Sequence, residues 1–333
     1  MKVFSPSAYF FFSCVCILCL SAYAIDVTKS LREPRVKVIE TGDILIDKLY
    51  PSMTGPYERV QVDTSDLDLI TGFKTEVVDA GSGQIMGEEF FCHSQLQIAK
   101  LDRLIIGATG MANIQFPDGF GMPVREIISQ HANSNEGLSL LGMVLNNHEK
   151  NIHRNVKIRT TINYWNNEDL THLPNFKKLH MFQIPMAVEE LDVSEAHTAN
   201  LTANSDVTTH CVLVHGMKEH WLVPPGPQLT RRQFTEGVTN VTFRIHYAVV
   251  HLHNHGRYMR ITDLTDGKIL WQTDVIYEPN REQIAQIPVY SSVEGFPIYN
   301  DHIYEIETYY DNTSDKTVDA MAAMYIFYRL LEG

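Results

Sequence analysis

The chain lacks a basic surplus. It carries 27 Lys and Arg against 40 Asp and Glu, a net charge of −13, and has no basic stripe interleaved with aromatics. That excludes the electrostatic footprint of nucleic-acid binding. It is also poor in cysteine, with 5 in 333 residues. Three of them, Cys14, Cys16 and Cys19, fall in the N-terminal apolar run, so the remainder is not a disulfide-dense scaffold. After that run no stretch is long and apolar enough to span a bilayer. A sustained 3.6-residue period is missing too, which argues against a helical protein. There is no Gly-rich phosphate loop, no nucleophile elbow and no H-E-x-x-H. No carboxylate pair is placed by sequence for acid–base chemistry.

What is present begins with a leader. Lys2 is followed by the apolar stretch from Ala8 to Leu20 and then Ala22-Tyr23-Ala24. This is the layout of a secretory signal peptide over residues 1–24, cleaved after Ala24. The expected location is extracellular or in the secretory lumen, with no stable membrane insertion after cleavage. Two cysteines then remain, Cys92 and Cys211. In an oxidising compartment they form either one disulfide joining the two halves or separate buried thiols. The triplets at Asn200, Asn240 and Asn312 are N-glycosylation sequons.

Short alternating runs fill the rest. Val60-Gln61-Val62, Ile70 to Val78, Glu88 to Ile98, Leu138 to Leu145, Val156 to Trp165, Met181 to Met186, Met259 to Leu264, Ile269 to Ile276 and His302 to Tyr310 read as strands. Turn chemistry separates them, including Phe116-Pro117-Asp118-Gly119 and Thr265-Asp266-Gly267. The pattern predicts an all-β sandwich fold. The polar stretch from Asn166 to Lys178, with Pro174, reads as a linker between domains at 25–175 and 176–333. In Val318 to Leu331 periodicity does not choose helix from strand.

The richest stretch is Val241 to His253, ending His251-Leu252-His253-Asn254-His255-Gly256. If the run is a strand, Phe243, Ile245, Tyr247, Val249, His251 and His253 all share one face. Imidazoles at i and i+2 then present two nitrogen ligands to one metal; the competing reading is two polar residues beside a turn. His255 is in phase with the pair but next to the turn, and His246 points the other way. His210, His215 and His220 fit no ligand template and read as structural. Tyr309, Tyr310, Tyr325 and Tyr328 read as core aromatics, the alternative being a tyrosine that gates substrate beside the metal.

Two features resemble the copper type II, ascorbate-dependent monooxygenases, the family of peptidylglycine α-hydroxylating and dopamine β-monooxygenases. One is the strand ending His251-Leu252-His253. The other is Asn312-Thr313-Ser314-Asp315 followed by Asp319-Ala320-Met321 and Tyr325-Ile326-Phe327-Tyr328. The likeness covers roughly residues 180–333, with Val223-Pro224-Pro225-Gly226 upstream, and is fainter before that. It implies two tandem jelly-roll β-sandwich domains and a copper held by His251, His253 and Met321. Met324 is the competitor to Met321, on the opposite face if the run is a strand. The family reaction would be O2-dependent hydroxylation of a small-molecule or peptide substrate, with ascorbate or another reductant. The family's first domain carries a second copper on three histidines. Here Cys92-His93 stands where an adjacent His-His pair belongs, and the third position falls at Leu145. A degenerate second site at His93 is the expectation, as in the plant stress-upregulated nodulin-like relatives. The alternative is a non-catalytic secreted protein that keeps the fold and a vestigial site. Tandem jelly rolls also occur in a glycoamidase, a third class on fold analogy alone.

Overall fold

The computed structural model describes residues 33–50, 55–98, 103–109, 113–131, 137–146, 148–173, 175–186, 220–234, 241–279 and 284–331. The expected signal peptide at 1–24, Cys211 with its disulfide option, and the sequons' Asn200 and Asn240 lie outside them, as do His210 and His215.

Sixteen of the described strands build the two halves of the fold. The first eight are β1 (Arg35–Glu40), β2 (Tyr57–Val62), β3 (Leu69–Asp79), β4 (Phe91–Ile98), β5 (Arg103–Thr109), β6 (Phe120–Pro123), β7 (Leu138–Val144) and β8 (Arg154–Trp165). The second eight are β9 (His180–Pro185), β10 (Gly226–Phe234), β11 (Phe243–Leu252), β12 (Gly256–Asp263), β13 (Lys268–Asp274), β14 (Tyr290–Ile298), β15 (Tyr304–Asn312) and β16 (Val318–Leu330). In the first set the sheets run β1-β8-β3-β6 and β2-β7-β4-β5; in the second, β9-β16-β11-β14 and β10-β15-β12-β13. Each set therefore joins strands in the order 1-8-3-6 and 2-7-4-5, which is a jelly roll. The protein is all-β with two tandem jelly-roll sandwiches.

The alternation of the sequence supplies the cores. Ile158, Ile162, Phe73 and Leu140 close the first sandwich, and Phe243, Met259, Ile306 and Met324 close the second. At the β12–β13 turn Gly267 takes a φ of 64°, which a side-chain-bearing residue rarely adopts. Asp263 Oδ1 accepts from the amides of Thr265 and Asp266 at 3.0 and 3.1 Å and fixes that turn.

Two helices depart from the sequence reading. Val124–His131 forms one helix, its Ile127 and Ile128 packed on the first core. Asn167–Thr171 forms another inside the segment that reads as a linker, with a reciprocal capping box between Asn166 and Asp169. Both are too short to show helical periodicity in the sequence. Lys177–Lys178 then pairs with Phe120 and Gly121, so the chain crosses to the second sandwich at about Leu179. Among the described residues no helix is long and apolar enough to cross a membrane.

The two sandwiches press together through the outer face of β16 and β11. Tyr247, Ala323, Tyr325 and Phe327 join the first core, while Ala320, Ala322, Met324 and Ile326 join the second. Phe116, from the turn before β6, meets Tyr247 at 5.4 Å and Phe327 at 4.9 Å between ring centroids. β16 is thus buried on both faces, and this makes it a near-continuous apolar run in sequence.

Candidate metal centre

The histidine strand is not one uninterrupted face. Its pairing with both β14 and β16 slips between Ile245 and Tyr247. The bulge at His246 turns the strand over: Phe243 and Ile245 point into the second core, whereas Tyr247 and Val249 pack on the first. The expected single face from Phe243 to His253 is therefore split. Gly295 makes the bulge sterically possible. Its φ is 64°, and a Cβ there would lie 2.3 Å from the Ile245 carbonyl oxygen and 2.9 Å from His246 Nδ1. His246 stacks on Phe120 at 4.3 Å and shares a hydrogen bond with the Ser292 carbonyl at 3.1 Å. Burial lowers its pKa.

Beyond the bulge, His251 and His253 lie on the outer face, their ring centroids 5.2 Å apart. Register carries Met321 to them. His251 pairs with Ala323 and Leu252 with Ala322, and the His253 amide donates to the Met321 carbonyl at 3.2 Å. Directly opposed residues share a face with Cβ atoms about 5 Å apart, and diagonal ones lie about 7–8 Å apart, within reach of long side chains. His253 is opposite Met321 and His251 is diagonal to it. Met324 lies on the other face in the second core, which removes it as a ligand.

The surroundings hold this arrangement. His253 Nδ1 sits 2.9 Å from Asp319 Oδ2, which fixes the ring and leaves Nε2 directed away from the carboxylate. The Tyr310 hydroxyl accepts from the His253 amide at 3.2 Å and donates to the Met321 carbonyl at 2.7 Å, clamping the two strands. Burial drives the pKa of that hydroxyl far up, so it stays a donor. His251 and Met321 are 8% and 7% exposed, and the His253 side chain 13%, which leaves a nearly dry site with a narrow edge to solvent.

The other sequence candidates fall differently. His255 is buried with a φ of 71° in the turn that follows His253, so strand phase does not extend to it. The backbone of His220 pairs with that of Met321 along the edge of β16 away from β11. His93 is buried on β4, its Nδ1 2.8 Å from Cys92 Sγ and its ring 5.8 Å from that of His251. Asn312 is also buried, its amide nitrogen donating to the Val223 and Lys316 carbonyls at 3.0 and 2.7 Å. That sequon is therefore not presented to solvent in the folded chain.

Sequence reasoning gives Asp319 no role, although it stands in the Asp-Ala-Met triplet. It reads Tyr310 as a core aromatic, with substrate gating near a copper as the alternative, and not as the clamp between the two strands. A further group, Asp263, Asp266 and His302, brings its donor atoms within 4.8 Å of one another. Asp263 and Asp266 belong to the β12–β13 turn, and His302 lies just before β15. Asp263 caps the turn and holds His302 Nδ1 at 2.6 Å, which raises the His302 pKa.

No protein-family model matches the sequence, and no curated protein matches it. Solved structures that align with the chain include a recombinant peptide N-glycanase F (PNGase F), at 8% identity and a TM-score of 0.38 over 89% of this chain and 95% of that one. Another is PNGase F, a glycosylasparaginase from Flavobacterium meningosepticum, at 9% identity and a TM-score of 0.39 over 89% and 96%. A third is the infectious bursal disease virus VP2 subviral particle, at 8% identity and a TM-score of 0.20 over 89% and 73%. Similarities at this level carry no argument about the site.

Proposed function

We propose that the chain is a secreted copper-binding oxidoreductase, acting by O2-dependent hydroxylation on a small-molecule or peptide substrate, with copper held by His251, His253 and Met321. The observation that carries this reading is the cross-strand placement of Met321 opposite His253, with Asp319 on the far nitrogen of that imidazole. Two neutral imidazoles and a thioether form a soft donor set that suits Cu(I) and tolerates Cu(II). The chemistry of this donor set fits the metal. Copper bound there supplies one-electron chemistry toward O2.

The chain's own residues have distinct tasks. Asp319 holds His253 in the tautomer that ligates through Nε2. Tyr310 fixes the spacing of the two ligand strands. The apolar packing of Val249, Ala323 and Tyr325 beside the site excludes bulk water from it.

The test is copper loading of the full secreted chain, followed by O2 uptake with ascorbate and a panel of peptide and small aromatic substrates. One equivalent of copper and substrate-dependent uptake are expected. Copper bound tightly without uptake under any reductant would leave a metal-binding protein instead; no tight copper would remove both.

A further inference from the structure

We propose that His93 of the first sandwich is a third imidazole ligand of this same centre, so that one metal is held by both jelly rolls. The inference rests on the copper reading above. Three observations carry it.

The first is distance. The ring of His93 lies 5.8 Å from that of His251, which in turn lies 5.2 Å from that of His253. Two imidazoles bound to one tetrahedral ion through bonds of about 2.0 Å place their centroids about 5 Å apart. Both spacings are close to that value. The ligating nitrogens themselves stand wider than a closed coordination sphere. Among the described residues, the group whose His, Cys, Asp or Glu donors all fall within 4.8 Å is the Asp263 turn, not this one. Rotation of the His93 side chain on a fixed backbone is the adjustment that binding requires.

The second is local backbone. β4 slips register against β7 between Phe91 and His93. A bulge re-aims the side chain that follows it. A bulge in the first sandwich therefore adjoins one ligand position, as the bulge at His246 precedes the others.

The third is the partner on the far nitrogen. Cys92 Sγ lies 2.8 Å from His93 Nδ1. With Nδ1–H directed at the sulfur, Nε2 is the ligating nitrogen. Asp319 divides the roles of the His253 nitrogens in the same way. A separate three-histidine site within the first sandwich has less to draw on. His148 packs on Phe90 at 4.9 Å, His153 is exposed, and Leu145 hydrogen-bonds through its amide to Phe90.

The experiment is pulsed EPR on the full chain loaded with Cu(II), counting coordinated imidazoles, alongside metal stoichiometry. Wild type is expected to bind one copper with three imidazoles. His93→Gln should keep one copper with two imidazoles and lose affinity at least about tenfold, since even outer partners of a ligand are worth that much. Two imidazoles in wild type, with a spectrum unchanged by His93→Gln, would overturn the shared centre while leaving His251 and His253 as ligands. Two coppers per chain would overturn it as well. No copper in wild type would remove the underlying reading and the proposal with it. The count on wild type needs no variant, so the test survives poor folding of His93→Gln.

Discussion

Nδ1 of His253 lies 2.9 Å from Oδ2 of Asp319, a residue two positions before Met321 on the neighbouring strand. The same short stretch of sequence thus supplies one candidate ligand and the carboxylate that orients another. The first prediction is that Asp319→Asn weakens copper binding about 10- to 100-fold while the fold persists, the usual cost of losing such a partner. A competition titration with a chelator, with circular dichroism as the control, measures it. An unchanged affinity would show that the carboxylate has only a structural role.

Met321 and Met324 are both buried but face opposite sides of β16. Met321→Leu conserves volume, so it should cost little stability and lower Cu(I) affinity sharply. Met324→Ala should do the reverse, costing about 2–5 kcal/mol from the cavity it leaves in the second core with copper affinity retained. Paired denaturant melts and copper titrations separate the two.

Gly295 permits the bulge that turns His251 and His253 toward the first sandwich. Gly295→Ala would meet the Ile245 carbonyl at 2.3 Å in a left-handed conformation. It is expected to destabilise the chain by more than about 1 kcal/mol and to reduce copper retention in whatever fraction folds. A variant with wild-type melting and wild-type copper binding would show that the strand reaches this facing without the bulge.

Away from the centre, Glu307 is buried between Arg231, Arg260 and Tyr258, with Arg260 at 2.8 Å and Tyr258 at 2.6 Å. Burial alone would raise its pKa; the hydrogen bonds from Tyr258 and Arg231 and the two cationic charges outweigh this and lower it. A carboxylate whose folded pKa lies below its unfolded value stabilises the fold above the unfolded pKa. That stability is lost as pH falls through the folded pKa. Melting temperature should therefore drop on acidification through the carboxylate range. Glu307→Gln should start from a lower melting temperature at neutral pH and flatten this limb.

The strands are legible in the sequence because their residues obey a two-residue period with one face buried, as Val156 to Trp165 does against β3. The turn at Gly267 is legible because only a small set of residues accepts its backbone angle. Val318 to Leu330 is not, since a strand buried on both faces loses the alternation that marks strands. The bulge at His246 is hidden for a different reason. The residue that leaves room for it, Gly295, is on a strand far along the chain, and nothing local to Ile245 or His246 announces it. The candidate metal-centre residues are partly legible: His251 and His253 through spacing, Met321 only through family likeness. His93 reads in sequence as the remnant of a separate site. Its approach to His251 joins residues from different sandwiches, a contact that no period or motif encodes.

The most direct measurement of the central claim is copper K-edge X-ray absorption on the Cu(I)-loaded full chain, wild type beside Met321→Leu. Nitrogen scatterers together with one sulfur at about 2.3 Å, a typical metal–sulfur distance, are expected, with loss of that sulfur in the variant. A first shell with no sulfur in wild type, or a sulfur that persists in Met321→Leu, would contradict the assignment of Met321 as a ligand.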